Sequence, residues 1–158
     1  MSLTAFSSSD LVGHLVALGL AYLLSLPTGW DREQRERTAG IRTFPLVAVA
    51  SCGFALIAIR VLGAESEGQA KVLEGLITGI GFIGGGAILK LGRRTTGTAT
   101  AASLWTTGAL GAAVGYGLYD IAVILAVINF LTLRLLSPLK HEGGPPDRPA
   151  AGNGRPVS

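Results

Sequence analysis

Five long apolar runs, nearly free of formal charge, limit what this chain can fold into more than any other feature. Leu11 to Trp30 is 20 residues without a formally charged side chain, held between Asp10 and Asp31. A helix of about 20 apolar residues crosses a hydrocarbon core roughly 30 Å thick. Further runs cover residues 43–62, 72–89, 96–116 and 118–136. Arg60, Glu74, Asp120 and Arg134 stand near the ends of these runs, where charged groups can reach the interface. The spacing predicts an all-α fold: a polytopic transmembrane bundle of five helices over residues 11–136. Composition agrees, because only 15% of the 158 residues are charged, against a usual share of about 25%. A soluble domain of this size would need more charge to cover its surface.

The placement of lysine and arginine gives an orientation. With five crossings, the loops at 31–42 and 90–94 and the C-terminal tail share one side. That side holds Arg32, Arg35, Arg37, Arg42, Lys90, Arg93, Arg94, Arg134, Lys140, Arg148 and Arg155, while the other holds only Arg60 and Lys71. Basic residues collect on the cytoplasmic face of membrane proteins. The expected topology therefore has the N-terminus outside and the C-terminus in the cytoplasm, in a bacterial inner membrane. Trp30, Tyr116 and Tyr119 fall at expected interfaces, where amphipathic rings settle. Residues 1–10 form an outer segment without Lys or Arg, so the basic start of a cleavable leader is not expected. Residues 137–158 become rich in Gly and Pro from Gly143 onward and read as a disordered cytoplasmic tail.

Most chemical motifs can be set aside. Gly79-Ile80-Gly81-Phe82-Ile83-Gly84 matches the spacing G-x-G-x-x-G, but it lies inside an expected span. No Asp or Glu occurs between Glu74 and Asp120 to hold a ribose. Cys52, the single cysteine, excludes an internal disulfide and reads as a small buried hydrophobe. No carboxylate or histidine set suggests a metal, and no nucleophile has an evident base. We expect no enzyme, cofactor, metal site or nucleic-acid partner. His14 reads as an interface residue. The hydroxyls of Thr95, Thr96, Thr98, Thr100, Ser103, Thr106 and Thr107 suit helix packing, with a lined pathway as the alternative.

Two groups of residues remain as candidates. Gly75, Gly79, Gly81, Gly84, Gly85 and Gly86 crowd the third span, and Gly97, Trp105, Gly111 and Gly115 follow on the fourth. Small residues four apart let helix backbones approach in lipid, where packing drives association. These residues form an expected packing or partner face. The alternative is a local helix break at Gly84-Gly85-Gly86 opening onto a cavity. The second group lies at the cytoplasmic end: Asp31, Arg32, Glu33, Arg42 and Thr43. The pairs Asp31/Arg35, Arg32/Glu36 and Glu33/Arg37, four apart, support a short surface helix ended by Gly40. The same charges could instead clamp a cation, a lipid phosphate or another protein.

The motifs Gly29-Trp-Asp-Arg-Glu33, Ala39-Gly-Ile-Arg-Thr43, Gly79-Ile-Gly-Phe-Ile-Gly-Gly-Gly86 and Gly97-Thr-Ala-Thr-Ala-Ala-Ser-Leu-Trp105 occur in that order. Together they resemble the membrane domain of the MgtC/SapB family, over residues 11–136. The resemblance implies an inner-membrane protein linked to magnesium limitation, with relatives that support virulence inside host cells. It implies a regulator of membrane potential and ATP level that binds membrane-protein partners such as the F-type ATP synthase. Magnesium or other cation transport is the alternative function. Membrane lipids and a second copy of the chain are the other expected partners. Two departures stand out: the tail replaces a soluble domain that many relatives carry, and Thr96 stands where the family usually has arginine. Asp31 takes the place of a more common glutamate.

Overall fold

The computed structural model describes residues 8–35, 39–91 and 94–136. Within them lie α1 (Ser8–Arg35), α2 (Thr43–Leu62), α3 (Gly68–Gly86), β1 (Leu89–Leu91), β2 (Arg94–Thr96), α4 (Thr98–Gly115) and α5 (Tyr119–Leu136). The expectations placed on residues 1–7 and on the tail from residue 137 lie outside the described residues, as do Glu36 and Arg37.

The first helix is longer than a bilayer needs. Its 28 residues extend roughly 42 Å at about 1.5 Å per residue. The short surface helix expected after Trp30 is therefore the last turn of α1, not a separate element. Pro27 lies inside α1 without ending it. Its ring removes one backbone donor, and one turn earlier the Ser25 hydroxyl donates to the Tyr22 carbonyl at 2.7 Å.

Helix α3 is displaced from its expected run, starting four residues earlier and ending three earlier, and α4 is shorter than its run at both ends. Helix α3 passes through Gly84, Gly85 and Gly86 and closes there, with the Ala87 and Ile88 N–H groups donating to the Gly84 and Gly85 carbonyls at 3.0 and 3.1 Å. The glycine triplet is a helix end, not a mid-helix break. The chain then forms an antiparallel ribbon, pairing Leu89 with Thr96, Lys90 with Thr95 and Leu91 with Arg94. The expected boundaries at 89 and 96 both fall inside this ribbon. Gly97 follows at φ +83°, and a Cβ there would meet the Ala87 carbonyl. That left-handed residue turns the chain into α4, two positions later than the sequence reading placed it.

Helix α4 is the axis of the bundle, packing against α1, α2, α3 and α5. Its approach to α2 is backbone on backbone. A Cβ on Gly111 would meet the Ala48 carbonyl, and one on Gly115 would lie 2.7 Å from the Cys52 carbonyl oxygen. Gly108 likewise leaves room for the end of Ile80 from α3. Small residues dominate the surrounding core, including Ala17, Ala21, Ala48, Cys52, Ala113, Ala122 and Ala126. Asn129 is bonded inside this core. Asn129 Nδ2 donates from α5 to the Ser103 carbonyl at 3.3 Å and to Thr107 Oγ1 at 3.4 Å.

Large apolar side chains point the other way. Leu15, Val16 and Leu23 on α1, Ile57 and Val61 on α2, and Ile124, Ile128 and Leu135 on α5 are all exposed. A soluble monomer rarely exposes a contiguous apolar patch beyond a few hundred Å². A chain with small residues inside and large ones outside is built for a lipid environment. Helices α1, α2 and α5 are long and apolar enough to cross a membrane. Helix α4 falls short on composition because its glycines and hydroxyls lower its mean hydropathy. Helix α3 carries Lys71 and Glu74 near its start.

Gly111→Ala should lower stability by about 1–3 kcal/mol, the usual cost of overpacking, because the obstructing atoms belong to the α2 backbone. Gly79→Ala points into open space and should leave the transition within about 0.5 kcal/mol of the parent, as surface changes usually do. Thermal unfolding of both variants in one detergent checks the contrast.

Candidate functional site

The end of α1 carries a charged cluster that its length pushes past the apolar belt. Asp31 and Arg32 are both buried, with side chains 3% exposed. The Asp31 carboxylate accepts from Arg32 Nη2 at 3.0 Å through Oδ2, and from Arg35 Nε at 3.0 Å through Oδ1. Arg134, from the last turn of α5, brings Nη1 to 3.9 Å from the same Oδ1. One carboxylate thus meets three guanidinium groups and ties the C-terminal ends of α1 and α5. Arg35 and Arg134 are the more open members, 34% and 59% exposed.

Glu33 does a different job. Its Oε2 accepts the Ile41 N–H at 3.1 Å, holding the turn that precedes α2 against α1. Gly40 has no side chain because a Cβ there would overlap the Glu33 carboxylate. Gly29 makes the matching allowance on α1, with the Ile41 Cα 3.1 Å from where its Cβ would lie. The Gly40 carbonyl then accepts from the Thr43 and Phe44 N–H groups at 3.0 and 3.2 Å, starting α2.

Arg42 and Thr43 stand apart from this cluster. Arg42 is exposed and forms no hydrogen bond or ion pair with a described residue. It lies at one end of an apolar groove of about 700 Å³ between α2 and α3. The five polar residues expected as one site thus divide into a buried ion cluster, a loop clamp and a groove mouth. The cluster is ill suited to a cation, because arginines already surround its only carboxylate. Among the described residues no group of three His, Cys, Asp or Glu could hold a metal.

The glycines divide as well. Gly97, Gly111 and Gly115 sit against backbone, and Gly84 lies 3.2 Å, measured from an added Cβ, from the Ala101 carbonyl of α4. Gly75, Gly79, Gly81, Gly85 and Gly86 have nothing within 4 Å of such a Cβ. A Cβ at any of them would touch no described residue of another helix. Trp105 faces outward from α4. The hydroxyls of Ser103, Thr106 and Thr107 each donate to a carbonyl of their own helix, at 3.0, 3.1 and 2.8 Å, which leaves their protons engaged in packing. Thr96 donates across the ribbon to the Leu89 carbonyl at 3.4 Å.

Some structural residues escaped the sequence reading. The pair Asp31/Arg35 was visible from its spacing, but Arg134 as a third partner depends on α5 returning beside α1. At the opposite end, Tyr116 Oη donates to Gln69 Oε1 at 2.9 Å and Gln69 Nε2 to the Gly63 carbonyl at 2.8 Å. Nothing local marks Gln69 as that bridge.

Comparison with known proteins adds relatives to this geometry. Residues 18–142 match the sequence profile of the MgtC family. Protein SrpB of Synechococcus elongatus is 35% identical over 145 residues, covering 84% of this chain and 80% of that protein. Protein MgtC of Brucella abortus is 39% identical over 129 residues, covering 81% of this chain. The chain spans about half of that MgtC, 53% of its length. The Escherichia coli K12 protein named "Putative magnesium transporter YhiD" is 30% identical over 141 residues, 80% of this chain and 66% of that protein. No solved structure matches.

Asp31→Asn should cost about 3–5 kcal/mol, the usual effect of removing one partner from a buried charge pair. Arg134→Gln should cost under about 1 kcal/mol, because Arg134 is exposed and stands 3.9 Å from a carboxylate that keeps two other guanidinium partners. Unfolding of both variants in the same detergent tests whether Asp31 is the keystone of the charged cluster.

Proposed function

This chain belongs to the MgtC family, and we propose that it is a non-enzymatic regulator of the bacterial inner membrane. In this reading it crosses the bilayer five times, with its N-terminus outside and its C-terminus in the cytoplasm. It adjusts cation or proton homeostasis under magnesium limitation by binding a membrane-protein partner, the F-type ATP synthase being the first candidate. Through such a partner it would influence membrane potential and ATP level, and so survival inside a host.

The observation that carries this reading is the open glycine face of α3. Gly81 and Gly85 lie one helical turn apart, are exposed, and a Cβ on either would meet no described residue. Such a face lets a second helix approach closely, and in lipid close packing is a main source of helix association. Leaving it uncovered makes sense if another protein covers it. Ion transport draws less support. A route for a divalent cation normally shows an acidic side chain inside the membrane. Asp31, the buried carboxylate of the described residues, is engaged by arginines. The hydroxyls facing the core of α4 are spent on backbone carbonyls.

Two measurements test the proposal. Pull-downs from native membranes, with wild type beside Gly81→Leu and Gly85→Leu, should show partner recovery falling about tenfold for the variants. Both substitutions enter open space, so the variants should fold, and unchanged recovery would remove this mechanism. Purified protein in liposomes should give no magnesium flux above empty vesicles. Protein-dependent flux would establish transport instead.

A further inference from the structure

The groove between α2 and α3 is apolar along its length and basic at one end. Leu46 and Phe54 of α2 and Gly75, Gly79 and Ile83 of α3 line its wall, and Arg42 is the only charged group among its lining residues. Because α2 and α3 run antiparallel through a short turn, Arg42 lies at the end nearer Ile83. Phe54 and Val72 mark the far end.

The dimensions narrow the occupant. Twelve residues separate Arg42 from Phe54, roughly 18 Å of helix at about 1.5 Å per residue. One leaflet of hydrocarbon is about 15 Å deep, half of a core of roughly 30 Å. Along α2 the groove begins at headgroup level and ends a little past the middle of the helix, while along α3 it reaches Val72, near the start of that helix. An extended hydrocarbon chain anchored at one interface fits the length.

Charge names the headgroup. Arg42 is exposed and spends its guanidinium on no described residue. No acidic residue occupies the first turn of α2, and the start of that helix adds partial positive charge to the same spot. Thr43, half-buried at the mouth, carries a hydroxyl beside it. Guanidinium groups suit phosphate in charge and geometry. Gly75 and Gly79 supply the remaining requirement, because side chains at those positions would fill the groove; a Cβ at either one meets nothing.

We propose that this groove is a binding site for one anionic phospholipid of the cytoplasmic leaflet. Its phosphate rests on Arg42, and one acyl chain lies along α2 and α3 over Gly75 and Gly79. The site rests on the membrane reading above and on its orientation, but not on the identity of any protein partner.

Native mass spectrometry of the full chain in detergent tests it, with phosphatidylglycerol or phosphatidylcholine added. Wild type should retain one phosphatidylglycerol about fivefold more strongly than phosphatidylcholine, the preference expected of one arginine near a membrane surface. Arg42→Gln should remove the preference while keeping the weaker binding. Gly79→Leu and Gly75→Leu should each reduce retention of both lipids about tenfold, with melting temperature unchanged. Equal retention of the two lipids by wild type would overturn the proposal, as would retention unaffected by both leucine variants. A dimer that dissolves in Gly79→Leu would also overturn it, by showing that a second copy fills the groove. Membrane fractionation separates the two levels: protein in the soluble fraction would sink the membrane reading itself, while membrane-bound protein without lipid preference would sink only this site.

Discussion

The bundle depends on the close approach of α2 and α4, where Gly111 and Gly115 lie on the backbone at Ala48 and Cys52. In water, apolar side chains would drive such helices together. In lipid the surroundings are as apolar as the side chains, so that drive is largely lost and contact surface must replace it. Glycine and alanine bring backbones close enough to supply the contact. From this follow the small-residue core, the central place of α4 and the large apolar side chains turned outward. The hydroxyls of Ser103, Thr106 and Thr107 bond within α4, and Asn129 extends that network to α5.

The charged end of the bundle works on different physics. Asp31 and Arg32 are removed from solvent, and a buried pair contributes only when its hydrogen bonds are well made. Here the carboxylate takes guanidinium donors on both oxygens and joins α1 to α5. Glu33 fixes the entry to α2 by accepting the Ile41 N–H. The remaining basic groups, Arg35 and Arg134 with Arg42 nearby in sequence to the loop clamp, give this face its positive character. One acid is neutralised inside, and the excess charge is offered outward.

Much of the helical plan was legible in the sequence because long apolar runs leave few folds available. Charge-free stretches marked where α1, α2 and α5 lie. Residues 89–96 were not legible, since three-residue strands are too short for alternation to register. An apolar run also conceals where its helix stops, and the end of α3 had to be read from the structure. The glycines show the sharper limit. Small residues four apart look alike in sequence on α3 and α4, yet Gly111 is pressed against backbone while Gly79 stands open. Spacing identifies a face, and only tertiary placement says what covers it. Asp31 was likewise visible as a charge abutting an apolar run, but its partner Arg134 lies 103 positions later in sequence.

The central claim is that this helical bundle is threaded through the inner membrane an odd number of times, with its basic face in the cytoplasm. Fusing green fluorescent protein or alkaline phosphatase to the C-terminus tests it most directly, since the first matures in the cytoplasm and the second outside it. Fluorescence from the first fusion and an inactive phosphatase in the second are the predicted results. A dark fluorescent fusion with an active phosphatase would contradict the topology and remove the leaflet assignment of the Arg42 groove.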